Sequence, residues 1–183
     1  MAGRWVYILT RLISAGLGVA RSPDKPPYRE TPMLPAYAGE HVPGNMIWDG
    51  SAVEYLTDAE RAPYALTFRD GLIFDANGSL FDTTGAETLH SGPGRAIFVM
   101  DASGNFYASM DQKPGEFHHS SLVAGGPVAA AGELEVVRGV LKTISDKSGH
   151  YRPRLRYTEQ AIAQLKRTNI SLREVEFDFV GRI

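Results

Sequence analysis

The sequence predicts a mixed α+β domain in which antiparallel strands form most of the structure. From residue 65 onward, short apolar runs alternate with glycine-containing turn pairs, a pattern typical of hairpins. Residues 158–166 have helical spacing, and residues 174–180 alternate strictly between apolar and charged side chains. A chain of 183 residues with 43% hydrophobic residues is long enough to bury one core.

Composition excludes several classes of function. The chain has no cysteine, which excludes disulfides, a cysteine nucleophile and thiolate metal sites. Its net charge of −2 provides no global basic field for nucleic acid. One local basic patch, expected from Arg152, Arg154, Arg156, Lys166 and Arg167, could suffice for an RNA target. A nucleic-acid target is therefore not indicated by charge, although it stays open.

The first 45 residues are predicted to precede the compact domain. Residues 5–20 are apolar but are interrupted by Arg11, so they are too short and too broken for a membrane span. They fit a weak signal peptide, a packed helix or the remnant of a longer protein. Six of the eleven prolines lie in residues 22–45, which predicts an extended arm. The predicted division is an arm over residues 1–45 and a domain over residues 46–183.

The elements of the domain can be predicted in order. Short helices are expected over residues 51–60 and over residues 158–166, the second with Thr158 as its N-cap. Asp70-Gly71 and Arg138-Gly139 each predict a tight hairpin turn. The predicted strands cover residues 65–69, 72–75, 96–100, 106–109, 134–137, 140–144 and 174–180.

The densest polar cluster is His118-His119-Ser120-Ser121, which precedes a run of small residues. If the cluster lies on a strand, His119 and Ser121 share one face, and His118 and Ser120 share the other. Such a face can bind a ribose or a phosphate, and the alternative is a locally hydrogen-bonded histidine pair at a strand end. Residues 123–132 predict a short helix, which either receives an anion at its N-terminus or packs closely against the core.

A second polar motif is Ser148-Gly149-His150-Tyr151-Arg152-Pro153. Its histidine, tyrosine and arginine can stack on an aromatic ring and bind a phosphate, or they can form an ordinary surface loop. Together with His118 and His119, His150 can also ligate zinc or the metal of a nuclease. Adjacent histidines on a strand point apart, which makes it difficult for both to bind one ion.

Charged side chains on the predicted strands offer two further chemistries. Arg69 ends a strand at a tight turn, where it can contact a phosphate or simply remain solvated. The pairs Glu133 with Glu135 and Glu174 with Glu176 lie on predicted half-buried strands. A carboxylate can stabilise an oxocarbenium-like transition state, and the alternative is a solvated strand face.

The two motifs together resemble a module found in three settings. These are the toxin tips of bacterial polymorphic (Rhs-type) proteins, related type III effectors of plant pathogens, and plant IQ-motif proteins linked to calmodulin. The bacterial members resemble mono-ADP-ribosyltransferases of the arginine–serine–glutamate class. The resemblance implies two small antiparallel sheets around a cleft, a few helices, and NAD as co-substrate.

The resemblance also implies roles for individual residues. Arg69 would hold the NAD phosphates or ribose, and Ser120 would belong to the catalytic serine strand. The catalytic glutamate would be Glu174 or Glu176, slightly ahead of Glu133. The implied NAD-binding residues are Arg69, His119, Ser120, Ser121, His150 and Tyr151.

The implied function is an NAD-dependent mono-ADP-ribosyltransferase toxin or effector. It would be secreted or injected into a target cell, would modify a protein or RNA acceptor in the target cytoplasm, and would have an immunity protein as partner. No membrane partner is expected. One alternative is a catalytically degenerate transferase fold that serves as a peptide- or protein-binding module. A second alternative is a histidine-dependent nuclease toxin.

Overall fold

The computed structural model describes residues 23–181 and shows one curled seven-stranded sheet beside a two-stranded ribbon. The strands are β1 (Ala65–Arg69), β2 (Leu72–Phe74), β3 (Glu87–Thr88), β4 (Gly92–Pro93), β5 (Ala96–Met100), β6 (Phe106–Ser109), β7 (Ala130–Val137), β8 (Val140–Ser145) and β9 (Glu176–Asp178). The helices are α1 (Asp58–Arg61) and α2 (Leu155–Arg167), with 3₁₀ turns at Pro35–Tyr37, Ala62–Tyr64 and Ser121–Val123. The strand order in the main sheet is β2-β1-β6-β5-β7-β8-β9.

The sheet is covered on both faces, and its central strand β5 is buried along its whole length. Because side chains alternate across a strand, Phe98 and Met100 face one core cluster while Ile97 and Val99 face the other. The first cluster contains the inner side of α2, including Leu165. The second is formed with the loop that carries the His-His-Ser-Ser motif. The sheet therefore forms the middle layer of three.

The curl of the sheet brings its first hairpin against the β7–β8 hairpin. The Ile73 amide donates to the carbonyl of Gly139 at 2.9 Å, and the Gly139 amide donates to the carbonyl of Phe81 at 2.7 Å. Both predicted hairpin turns are confirmed. Asp70 and Gly71 have φ of 51° and 76°, and Arg138 precedes Gly139 with φ of 49°. Two successive residues of positive φ are typical of the turn that matches strand twist.

The predicted mixed α+β class is confirmed, and most neighbouring strands are antiparallel. The arrangement differs from two small sheets around a cleft, because one large sheet carries seven of the nine strands. The last strand also differs from its prediction. It covers only Glu176–Asp178 and pairs parallel to β8, with Ile144 opposite Phe177.

Three local predictions fail in whole or in part, and in the first and the third tertiary hydrogen bonds take backbone groups that a helix would use. Residues 51–57 are not helical, since the amides of Val53 and Leu56 donate to the distant carbonyls of Glu40 and Ser121. Residues 118–121 form a turn rather than a strand. Residues 123–132 form a turn followed by the start of β7 rather than a helix.

The long helix α2 begins earlier than predicted. Its N-cap is Arg154, and Thr158 lies inside the helix, where its buried hydroxyl has no hydrogen-bond partner among the described residues. Ala161 and Leu165 are fully buried against the sheet. Basic residues occupy its last turn, where they complement the negative end of the helix dipole.

The proline-rich arm lies against the domain. Thr31 pairs with Val128 through two backbone hydrogen bonds, and the side-chain amide of Gln160 in α2 donates to the carbonyl of Arg29 at 2.8 Å. The boundary between residues 45 and 46 stays a prediction. The apolar segment over residues 5–20 lies outside the described residues. Over residues 23–181, no helix has the length and apolar character needed to cross a membrane.

Candidate functional site

The two sequence motifs meet in the structure. The Tyr151 hydroxyl donates to the carbonyl of Gly126 at 2.6 Å, which joins the loop after the serines to the second motif. The backbone of His150 is held from the arm, because the amide of Leu34 donates to its carbonyl at 2.8 Å. Residues that are distant in sequence are thus brought together below one face of the sheet.

The centre of this cluster is Glu40, a residue that the sequence analysis did not single out. Its side chain is fully buried and accepts hydrogen bonds from Ser120 Oγ at 2.5 Å, from Trp48 Nε1 at 3.0 Å and from Tyr55 OH at 3.3 Å. His150 Nε2 lies 2.8 Å from Glu40 Oε2, the oxygen that also accepts the bond from Trp48, whereas Ser120 and Tyr55 bond to Oε1. No local signal marks Glu40, because its partners come from four separate segments.

The hydrogen bonds keep Glu40 ionised despite its burial. Burial by itself raises the pKa of this carboxyl, but the hydrogen bonds from His150, Ser120 and Trp48 outweigh that effect and hold the pKa below its ordinary value. In turn, burial and the neighbouring carboxylate of Glu40 raise the pKa of Tyr55. We define Glu40, Trp48, Tyr55, Ser120 and His150 as the Glu40 cluster.

Aromatic rings surround the Glu40 cluster. The ring of Tyr37 stacks on His150 with centroids 4.0 Å apart, and Trp48 stacks on His118 at 4.8 Å. His118 Nε2 accepts a hydrogen bond from the Gly115 amide at 3.0 Å, so this nitrogen carries no proton. Burial, with a smaller contribution from the charge of His150, lowers the pKa of His118 to about 4.

The side chains of His119 and Ser121 also contact backbone groups inside the protein. His119 is fully buried, its Nε2 lies 2.8 Å from the carbonyl of Gly132, and its Nδ1 has no hydrogen-bond partner within the part of the chain that the structure describes. Burial lowers the pKa of His119 to about 3. Ser121 Oγ accepts the amide of His118 at 3.0 Å. His118 and His119 therefore contact different groups, and residues 23–181 contain no group of three ligands placed to hold a metal ion.

The two buried neutral histidines predict acid sensitivity. In the unfolded chain a histidine binds its proton at about pH 6.5, whereas the folded protein keeps His118 and His119 neutral to much lower pH. The unfolded state thus binds more protons, and stability falls as the pH falls. Well below about pH 6.5, we expect each ring to lower the free energy of unfolding by about 1.4 kcal/mol per pH unit.

Denaturant unfolding between about pH 7 and pH 5 measures this slope before free carboxylates titrate. His118→Gln removes one of the two rings and should reduce the slope, whereas His41→Gln removes an exposed histidine and should leave it unchanged. A free energy of unfolding that is constant over this range would contradict the prediction.

Arg69 lies apart from the Glu40 cluster. It is exposed, its guanidinium lies 3.9 Å from the ring centroid of Phe74, and its Nη2 donates to the carbonyl of Gly78 at 3.3 Å. Within residues 23–181, these contacts keep Arg69 in the first hairpin and the turn after it. The structure does not bring Arg69 together with Ser120, His119 or Tyr151.

The predicted catalytic glutamates lie in two other places. Glu133 is fully buried on β7, where Oε2 accepts the Ser91 hydroxyl at 2.5 Å and Oε1 has no partner among residues 23–181. Arg95 and Lys147 lie beside it and both contact Asp178 at 2.7 Å. Glu174 and Glu176 are exposed before and on β9. Binding of NAD by these residues, with the roles that the resemblance implies, stays a prediction.

Open concave surface lies beside the motifs rather than within them. One groove of about 240 Å³ is lined in part by Glu54, Tyr64 and Glu116. A second, of about 370 Å³, is lined in part by Glu87, Leu89 and Met110. Both grooves include Asp111 and Lys113, so they adjoin each other. We call the two together the acidic groove.

Comparison with known proteins identifies the relatives of this chain. Residues 60–157 match the family model described as the IQ motif-containing protein middle domain. IQ domain-containing protein IQM3 of Arabidopsis thaliana is 38% identical over 68% of the chain and 26% of its own length. IQM2 and IQM1 from the same plant are 34% and 32% identical, each over 68% of the chain, which corresponds to 20% and 24% of their own lengths. No solved structure matches the chain significantly.

The comparisons correct the predicted family and function. No ADP-ribosyltransferase toxin family matches, so the assignment to bacterial toxins and effectors is wrong, and with it the main functional prediction of a transferase toxin. Secretion or injection into a target cell is also wrong as a prediction, because it rested on that assignment and the relatives are Arabidopsis proteins.

The chain spans about a quarter of the length of these curated relatives. The match to the family model nevertheless covers more than half of its 183 residues, including both motifs that meet around the Glu40 cluster. The chain therefore belongs to the family of the IQ motif-containing protein middle domain.

Proposed function

We propose that this chain is a protein-binding module in which the two motifs build the fold and the acidic groove contacts the partner. The observation that carries the proposal is the closure of the motifs. His118, His119, Ser120, Ser121, His150 and Tyr151 are at most 3% exposed. Their side chains hydrogen-bond or stack inside the protein, so a ligand would have to displace these contacts to reach them.

Unlike the buried motifs, the acidic groove exposes charged and apolar side chains to a partner. Its acidic side chains Glu54, Glu87, Asp111 and Glu116 are exposed, and Leu89 is 52% exposed on its wall. It lies directly beside the first motif, because Phe117 lines the groove while the next residue, His118, contacts Trp48. The motifs would thereby fix the wall of the binding surface without touching the partner.

The family relation supports binding rather than turnover, and it separates two kinds of partner. In a longer protein built like the relatives, we assign a calmodulin-type partner to an IQ segment. An IQ segment takes its name from an isoleucine followed by a glutamine, and none of the three glutamines in the present chain follows an isoleucine. The long helix α2 cannot present its apolar side to such a partner either, because that side is buried against the sheet. The partner of the acidic groove would therefore be a different contact from that of the IQ segment.

Site-specific photo-crosslinking tests the proposal. A photoreactive phenylalanine analogue at Leu89 in the groove is compared with the same analogue at Val140, which is 42% exposed on the β7–β8 hairpin. In extracts, we expect defined proteins to be crosslinked from position 89 and not from position 140. Nicotinamide release from NAD is expected to stay at the buffer level in the wild type and in Arg69→Ala.

Two results would overturn the proposal. Equal crosslinking from positions 89 and 140 would mean that the groove recognises nothing specific. Release of nicotinamide that depends on Arg69 would mean that the chain turns over NAD. In that case the Glu40 cluster would have to open in solution, since its serine is fully buried in the structure.

A further inference from the structure

Over residues 23–181, the acidic groove has an excess of negative charge that no ion pair compensates. Among the described residues, its walls carry Glu54, Glu87, Asp111 and Glu116 and one cation, Lys113. Within residues 23–181, none of these five side chains forms an ion pair with another residue. Unpaired carboxylates gathered in a concave surface attract a cationic partner, because low-dielectric walls concentrate their field.

The carboxylates of the first groove flank an aromatic floor. Tyr64 is half-buried there, and its ring stacks on that of Phe117 with centroids 5.7 Å apart. Burial raises the pKa of Tyr64, and the charges of Glu54 and Asp111 raise it further. Glu54, Asp111 and Tyr64 line the same groove, so negative charge lies beside an aromatic surface there.

The second groove extends the apolar surface. Leu89 is 52% exposed, and half-buried Met110 lies beside it. The backbone at Leu89 is tied to another residue of the groove lining, since its amide donates to the side-chain oxygen of Gln112 at 2.9 Å. A methionine side chain adapts its shape to different apolar partners. The acidic groove thus combines negative charge with a firm but adaptable apolar lining.

We propose that the acidic groove binds a basic amphipathic segment of a protein partner, whose lysines or arginines face Glu54, Asp111 and Glu116 while its apolar side contacts Tyr64, Leu89 and Met110. This inference rests on the proposed function and names the chemistry of the partner. Nucleic acid and acidic proteins do not fit, because their charge has the same sign as that of the groove.

The probe is a synthetic helical peptide of about 18 residues made of leucine and lysine, with the leucines on one face. A second peptide has glutamate in place of each lysine, and a third has glutamine. Fluorescence anisotropy measures the dissociation constant of each peptide. We expect the lysine peptide to bind, the glutamate peptide not to bind, and binding to weaken as salt rises from about 0.05 M to about 0.5 M.

Two charge-matched variants separate the groove from net charge. The groove variant carries Glu54→Lys, Asp111→Lys and Glu116→Lys. The control carries Glu30→Lys, Glu174→Lys and Glu176→Lys, which are exposed positions outside the groove. Both variants change the net charge equally, and circular dichroism verifies that each is folded. We expect the groove variant to bind the lysine peptide about tenfold more weakly and the control to stay within about twofold.

Each other result overturns the inference in a distinguishable way. Equal losses in the two variants would mean that the peptide responds only to net charge. Equal binding of the glutamine peptide would mean that the groove selects apolar surface rather than basic charge. Failure of the lysine peptide to bind, with specific crosslinks retained at position 89, would reject the basic partner but keep the binding module. Absence of both peptide binding and specific crosslinks at position 89 would reject the binding module itself.

Discussion

Gly132→Ala is expected to destabilise the protein severely, lowering its free energy of unfolding by at least about 3 kcal/mol. A Cβ atom at this position would lie 1.9 Å from the carbonyl oxygen of Ser145 and 2.7 Å from its carbonyl carbon. These are backbone atoms in β8 and have no rotamer by which to move away. On its other side the new methyl group would lie 3.1 Å from the ring of Phe98. Overpacking of this kind against a fixed backbone costs at least about 3 kcal/mol.

Thermal or denaturant unfolding of Gly132→Ala measures the effect, and Gly85→Ala is the matched control. At Gly85 an added Cβ meets no heavy atom within 4 Å and the φ angle is not in the left-handed region, so the control should change the free energy of unfolding by less than about 0.5 kcal/mol. If both variants unfold at the same denaturant concentration, β7 and β8 do not approach as closely as the structure indicates.

The hairpins were the part of the fold that the sequence predicted best, because their signals are local. Asp70-Gly71 and Arg138-Gly139 require positive φ at adjacent residues, and that requirement is met within the turn itself. Strand β5 was equally predictable, since five consecutive apolar residues have no solvated alternative. The sequence did not predict that the strands would join into one curled sheet, because that depends on long-range pairs such as Ile73 with Gly139.

For the small residues after the serines, the predicted close backbone approach is present, but the predicted helix is not. Their composition indicated a close approach of backbones, and Gly132 does make one, against Ser145. The approach occurs between β7 and β8 rather than around a helix. Glycine and alanine remove steric bulk in either setting, so composition alone could not distinguish a packed helix from a packed strand.

The candidate site was predicted in part. Both polar motifs were found, and they do meet, as the contact of Tyr151 with Gly126 shows. Their charged partner was missed because Glu40 lies 80 residues before Ser120 and 110 residues before His150. Polar residues that look like a ligand site in sequence can equally be the donors of one buried carboxylate, and only the three-dimensional structure tells these cases apart.

Glu40→Ala is expected to lower the free energy of unfolding by about 3–5 kcal/mol, the usual cost of removing one partner from a buried charged network. The substitution leaves the Ser120 hydroxyl, the Trp48 indole N–H and His150 buried without their acceptor. It also removes the side-chain contact of Glu40 with both motifs and leaves backbone hydrogen bonds, such as the one from Leu34 to His150, to hold these segments together. Urea unfolding followed by tryptophan fluorescence measures the loss, because Trp48 reports directly on the cluster.

Two variants determine whether the charge or the shape of Glu40 matters. Glu40→Gln keeps the shape but replaces one acceptor oxygen by a donor, so it must lose the bonds on one side of the carboxyl group, and its loss of stability should lie between the wild type and Glu40→Ala. Glu54→Ala removes an exposed carboxylate from the groove and should change stability by less than about 0.5 kcal/mol. A Glu40→Ala protein as stable as Glu54→Ala would show that the cluster does not hold the motifs together. The groove would then need another source of rigidity, because Phe117 adjoins that cluster through His118.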